Sequence, residues 1–184
     1  MIISALKERK DNEKRVAIVP DVAKKLVNDG HRVLIESGAG ERSFFSDKAY
    51  LESGAEILTL DDIVSNTDIL LVVDLPSDEI LSKMKDNSNI VGLLNPYDKG
   101  DSFESFEKKS ISAFSMELIP RITRAQSMDV LSSQANLSGY RAVINATSLY
   151  SKSMAMMMTA AGTVAPSKVF IMGVGVAGLQ AIAT

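Results

Sequence analysis

The run Ile69-Leu70-Leu71-Val72-Val73 decides the fold class of this sequence. It is apolar throughout, which is typical of a strand buried on both faces of a parallel sheet. Similar apolar runs predict further strands at residues 2–6, 31–35, 90–94 and 111–115. Because amphipathic stretches separate the runs, residues 1–128 are predicted to form an N-terminal α/β domain with a doubly wound parallel sheet, Rossmann-like or flavodoxin-like.

The predicted helices of this domain have recognisable ends. Pro20 lies at the entry to a helix over residues 21–29, where its missing N–H costs nothing, and Gly30 occupies the position of a C-cap. A shorter helix before residue 69 is predicted to be capped by Asp61 or Asp62. A polar helical stretch at residues 101–109 separates the last two strands.

Composition excludes several classes of protein. The 184 residues are 46% hydrophobic, carry a net charge of −3 and include no cysteine. Without Cys there is no disulfide scaffold, thiolate zinc site or Cys nucleophile, and no metal site is predicted. The weakly acidic balance disfavours nucleic acid as a partner. No apolar run is long enough to cross a bilayer and no signal peptide is recognised, so a cytoplasmic chain without direct membrane insertion is expected.

Beyond Pro120 the alternation of strands and helices gives way to one long helix. Residues 129–158 contain no Pro, and only Gly139 interrupts a good helix-forming sequence. About 30 residues at a rise of about 1.5 Å would span about 45 Å, which is typical of a helix that links two domains. Residues 129–163 are therefore predicted to be a connecting helix and linker. Its methionines Met154, Met156, Met157 and Met158 are predicted to fill core or interdomain contacts.

Residues 164–184 carry the signature of a second domain. A predicted strand at residues 168–172 leads into Gly173-x-Gly175-x-x-Gly178 and a further helix, which is the context of the dinucleotide fingerprint. The glycines permit, in order, a tight turn, close approach of a pyrophosphate and close packing of helix on strand. The segment is too short for a complete βαβ unit, so the truncated start of a Rossmann NAD-binding domain in a longer protein is expected. The motif leaves the choice between NAD and NADP open.

The densest polar cluster follows Pro120, at residues 121–133. It combines two arginines, an amide, a carboxylate and several hydroxyls. Helical spacing predicts one shared face for Gln126, Asp129, Ser133, Asn136 and Tyr140. From the residues alone, two interpretations stay open: a capped helix start with a solvated stripe, or a loop that clamps the polar end of a ligand.

Other polar features favour structural roles. The charge run at residues 7–15 is predicted to be solvated surface, although Arg15 follows the carboxyl end of a strand, where α/β sites form. Residues 36–40, Glu-Ser-Gly-Ala-Gly, lack the Gly-Lys-Ser/Thr ending of a phosphate loop and are predicted to be a turn. His31 has no nucleophile context and is not expected to be catalytic.

Together these motifs resemble the alanine dehydrogenase and pyridine-nucleotide transhydrogenase family. The resemblance covers essentially the whole sequence, and residues 121–141 are most similar to the transhydrogenase branch. The residues that carry it are Lys7-Glu8, Arg15-Val16-Ala17 and Pro20, then residues 36–40, 120–129, 131–133, 139–142 and 173–178.

The resemblance implies direct hydride transfer between NAD(H) on this chain and NADP(H) on a partner domain. It also implies membrane-embedded partner subunits through which protons move, as in a proton-translocating, Re/Si-specific transhydrogenase. Such a reaction needs no acid–base residue, because catalysis consists of holding two nicotinamides in near-attack geometry.

By resemblance, Gln126 and Asp129 are the candidate catalytic residues. Asp129 and Ser132 are expected to fix the carboxamide side of the nicotinamide, and Gln126 to reach toward the domain of the second nucleotide. The complete set of implied cofactor-binding residues is Arg121, Ile122, Thr123, Arg124, Gln126, Ser127, Met128, Asp129, Ser132, Gly173, Gly175, Val176 and Gly178.

Two departures disfavour the alanine dehydrogenase branch. Where those enzymes carry a substrate-binding Lys and a catalytic His, this sequence has Val72 and Asn95, neither of which can donate a proton to a keto acid. Arg15 alone matches their carboxylate-binding Arg. An alanine dehydrogenase-like enzyme and a non-catalytic NAD-sensing domain remain the alternatives.

Two expectations concern the chain as a whole. By itself it is expected to be inactive and to bind dinucleotide weakly. A homodimer through the apolar surface of the long helix is also expected.

Overall fold

The computed structural model describes residues 1–98 and 104–184 and divides the chain into two compact units, Met1–Ile119 and Pro120–Thr184. The boundaries predicted at residues 128 and 163 stay predictions. Each unit has its own secondary structure and is described by itself.

The first unit is built on a six-stranded parallel sheet in the order β3-β2-β1-β4-β5-β6. This is the Rossmann order, so the doubly wound prediction is confirmed and the flavodoxin-like alternative is wrong. The short strand β3 was not predicted, because three half-buried residues beginning with a Glu make no recognisable apolar run. The strands are β1 (Ile2–Ala5), β2 (Arg32–Glu36), β3 (Glu56–Leu58), β4 (Ile69–Asp74), β5 (Asn89–Leu93) and β6 (Ser112–Ser115).

Within the described residues, five α-helices connect these strands. Pro20 is the first residue of α1 and Gly30, with φ of +84°, follows its C-cap, so both predicted helix ends are confirmed. The predicted Asp cap of α3 is wrong: the Thr59 hydroxyl accepts the Asp62 N–H at 3.4 Å, and both aspartates lie in the first turn. Residues 101–103 of the predicted helix 101–109 lie outside the described residues. The helices are α1 (Pro20–Asn28), α2 (Asp47–Glu52), α3 (Leu60–Asn66), α4 (Asp78–Lys83) and α5 (Glu104–Lys108).

Two apolar clusters form the core of the first unit, one on each face of the sheet. Because successive side chains of β2 point to opposite faces of the sheet, Val33 and Ile35 belong to one cluster and Leu34 to the other. Tyr50 of α2 packs in the cluster of Val33 and Ile35, and Ile63 of α3 packs in the cluster of Leu34. Since both faces are covered by helices, the strands carry the unbroken apolar runs that the sequence displays.

The second unit begins with a 3₁₀ helix (Thr123–Met128) and continues with α6 (Val130–Leu149), the antiparallel hairpin of β7 (Met157–Thr159) and β8 (Gly162–Val164), and α7 (Val176–Ala183). The prediction of one helix over residues 129–158 is wrong, because α6 ends at Leu149 and spans only about 30 Å. Residues 151–156 are neither helix nor strand, and Met157–Thr159 pairs as β7 with β8, with Gly162 at φ of +136° beside the turn.

Two further predictions for the second unit are wrong. The core role predicted for the methionines is wrong for Met156, Met157 and Met158, which are exposed, whereas Met154 is half-buried. Their alternative role in interdomain contacts stays a prediction. Residues 168–172 form no strand, because no other strand in the described part of the chain pairs with them. A β-strand exists through its ladder, which an isolated apolar run cannot supply.

Candidate dinucleotide site

A pocket of about 360 Å³ lies within the second unit, just before α6. Five of the predicted cofactor-binding residues line it together with Pro120 and Ala125: Arg121, Ile122, Thr123, Gln126 and Asp129. Arg124, Ser127 and Met128 of the 3₁₀ helix do not line the pocket, and neither does Ser132 of α6. The structure therefore brings half of the polar residues of the cluster to one place.

Asp129 is the N-cap of α6 and is held by Ser132. One carboxylate oxygen, Oδ1, accepts the Ser132 N–H at 2.9 Å, and the other, Oδ2, accepts the Ser132 hydroxyl at 2.6 Å. These hydrogen bonds, with a smaller contribution from the positive charge of Arg121, lower the pKa of Asp129. Asp129 is therefore a carboxylate at neutral pH and faces the pocket as a hydrogen-bond acceptor.

Gln126 lies in the 3₁₀ helix that precedes α6, one turn before the cap. The predicted helix face shared by Gln126, Asp129, Ser133, Asn136 and Tyr140 is therefore wrong at its first member, since a 3₁₀ turn does not continue the α-helical spacing. Gln126 lines the pocket from this 3₁₀ helix instead.

The glycine segment forms a turn that leads into α7. Gly173 has φ of +102°, a backbone conformation that L side chains rarely adopt, and Gly175 is the N-cap of α7. A Cβ on Gly178 would overlap the carbonyl group of Gly173, with its carbon at 2.8 Å. Around Gly173 and Gly175, in contrast, a Cβ would meet nothing within 4 Å. That open space lies at a helix start with no side-chain cap, which is the kind of place that can accept an anionic group.

Helix α6 packs against α7 through Gly139. A Cβ at this position would overlap the carbonyl oxygen of Ala177 and lie 2.8 Å from its carbonyl carbon. Beside this contact, the Asn136 amide donates to Gln180 Oε1 at 3.0 Å. This contact was not predicted from the sequence. A Gly in the interior of a predicted helix, as at residue 139, is the signal that could have indicated it.

The positions of the first unit that match a keto-acid site lie near the carboxyl ends of its strands. Arg15 donates to both carboxylate oxygens of Glu13, through Nε at 2.8 Å and Nη2 at 2.6 Å. Val72 is buried, and Asn95 donates its side-chain amide to Asp98 at 2.8 Å. The positions that match a keto-acid site therefore hold an internal ion pair, an apolar side chain and a local hydrogen bond.

The charge run at residues 7–15 is more anchored than predicted. The Lys7 N–H donates to Glu36 Oε2 at 2.8 Å, Lys10 pairs with Asp74, and Glu8 accepts the Val73 N–H at 2.6 Å. Burial raises the pKa of Glu8. Only some of this run is the solvated surface that its sequence predicts.

The turn prediction for residues 36–40 agrees with the structure. The Asp47 side chain accepts the Gly38 N–H at 2.9 Å and the Ser37 hydroxyl at 2.8 Å. The loop N–H of Gly38 is thus used inside the protein and is not offered to a phosphate.

Neither a membrane-spanning helix nor a metal site is found among residues 1–98 and 104–184. No helix in these ranges is both long and apolar enough to cross a membrane. No group of three or more His, Asp or Glu residues in the same ranges is arranged to hold a metal ion.

The strand order of the sheet and the glycine turn define a Rossmann-type α/β protein with a dinucleotide-binding motif. Comparison with family models identifies the particular family: the alanine dehydrogenase/PNT N-terminal domain matches residues 4–138, and the C-terminal domain of the same family matches residues 142–184. The chain belongs to the alanine dehydrogenase/PNT family.

Similar proteins carry the transhydrogenase name. An NAD(P) transhydrogenase subunit alpha protein of Rickettsia prowazekii is 47% identical over 100% of this chain and 49% of its own length. The corresponding subunit alpha protein of Rhodospirillum rubrum is 46% identical, again over 100% of this chain, and half of its own length (50%) is covered. The chain thus spans about half the length of these curated relatives.

Solved structures agree on the fold. A transhydrogenase from Sinorhizobium meliloti has a TM-score of 0.96 at 45% identity, over 100% of this chain and 55% of that structure. An L-alanine dehydrogenase structure shares the fold with a TM-score of 0.83 at 23% identity, over 100% of this chain and 51% of its own.

Proposed function

We propose that this chain is the N-terminal portion, within domain I, of the NAD(H)-binding alpha subunit of a proton-translocating NAD(P) transhydrogenase. The observation that carries the proposal is the pocket lined by Arg121, Gln126 and Asp129, at the start of α6, the helix that packs on α7 beside the glycine turn. The transhydrogenase names of relatives at 46 and 47% identity support it.

NAD(H) would be held at two places in the second unit. Gly173, Gly175, Val176 and Gly178 would receive the pyrophosphate, in the open space before α7. The nicotinamide end would lie in the pocket before α6, where Asp129 and Ser132 would bind its carboxamide and Arg121 would supply positive charge. The dihydronicotinamide ring supplies the hydride.

The chain's own contribution to the reaction is positional. No side chain in the pocket needs to exchange a proton, because a hydride passes between two nicotinamide rings without acid–base help. Asp129, with both carboxylate oxygens fixed by Ser132, keeps one orientation, and Gln126 would contact the NADP(H) domain of a partner. Holding reactants in near-attack geometry accounts for a large share of such a barrier.

The partners follow from the same proposal. Membrane-embedded subunits would move protons, another domain would bind NADP(H), and the chain would associate with the membrane through these partners. Exposed apolar side chains on α6 and the β7–β8 hairpin, among them Leu149 and Met158, support a homodimer as well.

The keto-acid alternative is less well supported. Arg15 is engaged by Glu13, and neither Val72 nor Asn95 provides a proton donor. The second alternative, a domain that senses NAD without catalysis, differs from the proposal only in whether hydride is passed on.

The test is the variant Gln126→Ala in the intact alpha subunit, assembled with its partner subunits. Hydride transfer from NADH to an NADP⁺ analogue of distinct absorbance should fall by about 10²-fold, because misplaced reactants lose near-attack geometry. NADH binding, followed by fluorescence, should change little. Asn145→Ala, which removes an exposed amide of α6, is the matched control and should leave the rate unchanged.

Three results would contradict the proposal. Unchanged hydride transfer in Gln126→Ala would remove the assigned role of that residue. Pyruvate-dependent oxidation of NADH by the wild type would favour an amino-acid dehydrogenase. NADH binding without any transfer to the NADP⁺ analogue would favour the NAD-sensing domain.

A further inference from the structure

Helix α6 connects the two proposed binding places for the dinucleotide. Its N-cap, Asp129, faces the pocket, and Gly139 lies against the first turn of α7. Ten residues of helix separate the two positions, which corresponds to about 15 Å along the axis. The distance between the two places therefore depends on how α6 packs against α7.

The contact between α6 and α7 leaves no space for a side chain at residue 139. A Cβ on Gly139 would overlap the Ala177 carbonyl oxygen and lie 3.0 Å from the Ala177 Cα, and these are backbone atoms that cannot turn aside. Ala177 is the second residue of α7, directly after the glycine turn. A methyl group here would thus push the helices apart at the pyrophosphate end.

Of the two helices, α7 is the more firmly held to the glycine turn. Gly178 packs on the carbonyl group of Gly173, and the Leu179 N–H donates to the Gly175 carbonyl at 2.9 Å. A forced separation is therefore expected to displace α6, and with it Asp129, while the glycine turn keeps its shape.

We propose that Gly139 is a positioning residue for the dinucleotide, which sets the distance between the nicotinamide pocket and the pyrophosphate turn. The proposal rests on the function proposed above. It requires that the affinity for a ligand that spans both places depends on Gly139. The affinity for a ligand that occupies only one place should not depend on it.

The test compares three ligands on the intact alpha subunit carrying Gly139→Ala. NADH spans both places, ADP reaches only the pyrophosphate turn and reduced nicotinamide mononucleotide carries only the nicotinamide end. NADH binding should weaken by about ten-fold or more, while the two half-ligands change by less than about two-fold. Ser138→Thr adds the same single carbon at the exposed neighbouring position and should leave all three affinities unchanged.

A second variant covers the case in which Gly139→Ala does not fold. Asn136→Ala removes the hydrogen bond to Gln180 without a clash and should weaken NADH, but not ADP, by about two- to five-fold. Equal weakening of NADH and ADP would mean general damage and would overturn the proposal, as would unchanged NADH binding in both variants. Failure of the wild type to bind NADH would instead overturn the proposed function.

Discussion

Tyr50 shows how one side chain joins distant segments of the first unit. Its ring is fully buried, and its hydroxyl donates to the Ile18 carbonyl at 2.8 Å. A Cβ on Gly40 would lie 2.7 Å from the ring, so the second glycine of the loop at residues 36–40 leaves space for Tyr50. Burial, with a smaller contribution from Asp47, raises the pKa of Tyr50 to about 12.

Tyr50→Phe should lower the free energy of unfolding of the chain by about 1–2 kcal/mol at neutral pH, because the Ile18 carbonyl loses its buried donor. Urea unfolding measures this difference. Tyr97→Phe alters a residue that is 83% exposed and should have no effect. Equal stability of Tyr50→Phe and the wild type would show that the hydrogen bond contributes nothing net.

The same residue has a defined pH dependence. Because folding raises its pKa from 10.0 to about 12, the unfolded chain loses the proton first, and the contribution of Tyr50 is complete below pH 10 and lost as pH rises through about 12. The stability difference between wild type and Tyr50→Phe should therefore shrink over that interval. A difference that stays constant up to pH 12 would contradict the raised pKa.

At the scale of elements, the approach of β4 and β5 depends on Gly92. A Cβ there would overlap the Val72 carbonyl oxygen and lie 2.6 Å from Val72 Cγ2. Gly92→Ala should destabilise the chain by about 1–3 kcal/mol, because this clash outweighs the lower backbone entropy cost of Ala. Thermal unfolding is the measurement, and Ser112→Ala at the exposed start of β6 is the control. A Tm equal to or above that of the wild type would disprove the clash.

The elements also show which strands and helix ends a sequence pattern does not predict. Long buried runs such as β4 are recognisable because both faces are apolar, whereas β3 has three residues and no pattern. The end of α6 at Leu149 was missed because the residues that follow have no Pro or Gly until Gly162. Hairpin pairing, and not intrinsic propensity, decides their conformation.

At the scale of the whole molecule, the second unit exposes large apolar side chains. Met158 is 77% exposed on a two-stranded hairpin, a structure that is marginal in water without further packing. We expect the chain to self-associate, and Met158→Glu to weaken that association by about ten-fold or more by placing a charge on the contact surface. Sedimentation velocity over a concentration series measures it.

Ser151→Glu is the control for that prediction. It introduces the same charge on an exposed loop before the hairpin and should leave the association unchanged. A chain that stays monomeric at every concentration, or a Met158→Glu variant that associates like the wild type, would disprove a role for the hairpin.

The sequence by itself determined the parallel α/β class, the ends of α1 and the glycine signature, because these depend on neighbours a few residues apart. It also singled out the polar cluster, although residue types alone left open whether Asp129 caps a helix or faces a ligand. The tertiary structure showed that Asp129 caps α6 and also lines a pocket.

Only the tertiary structure decided the strand order, the end of α6 and the seating of Gly139 on Ala177. The ion pair of Arg15 with Glu13, two residues away, likewise depended on how the loop after β1 folds. The strand order and the contact of Gly139 with Ala177 join segments far apart in the chain, and even the short-range pair of Arg15 with Glu13 is settled only when the chain packs.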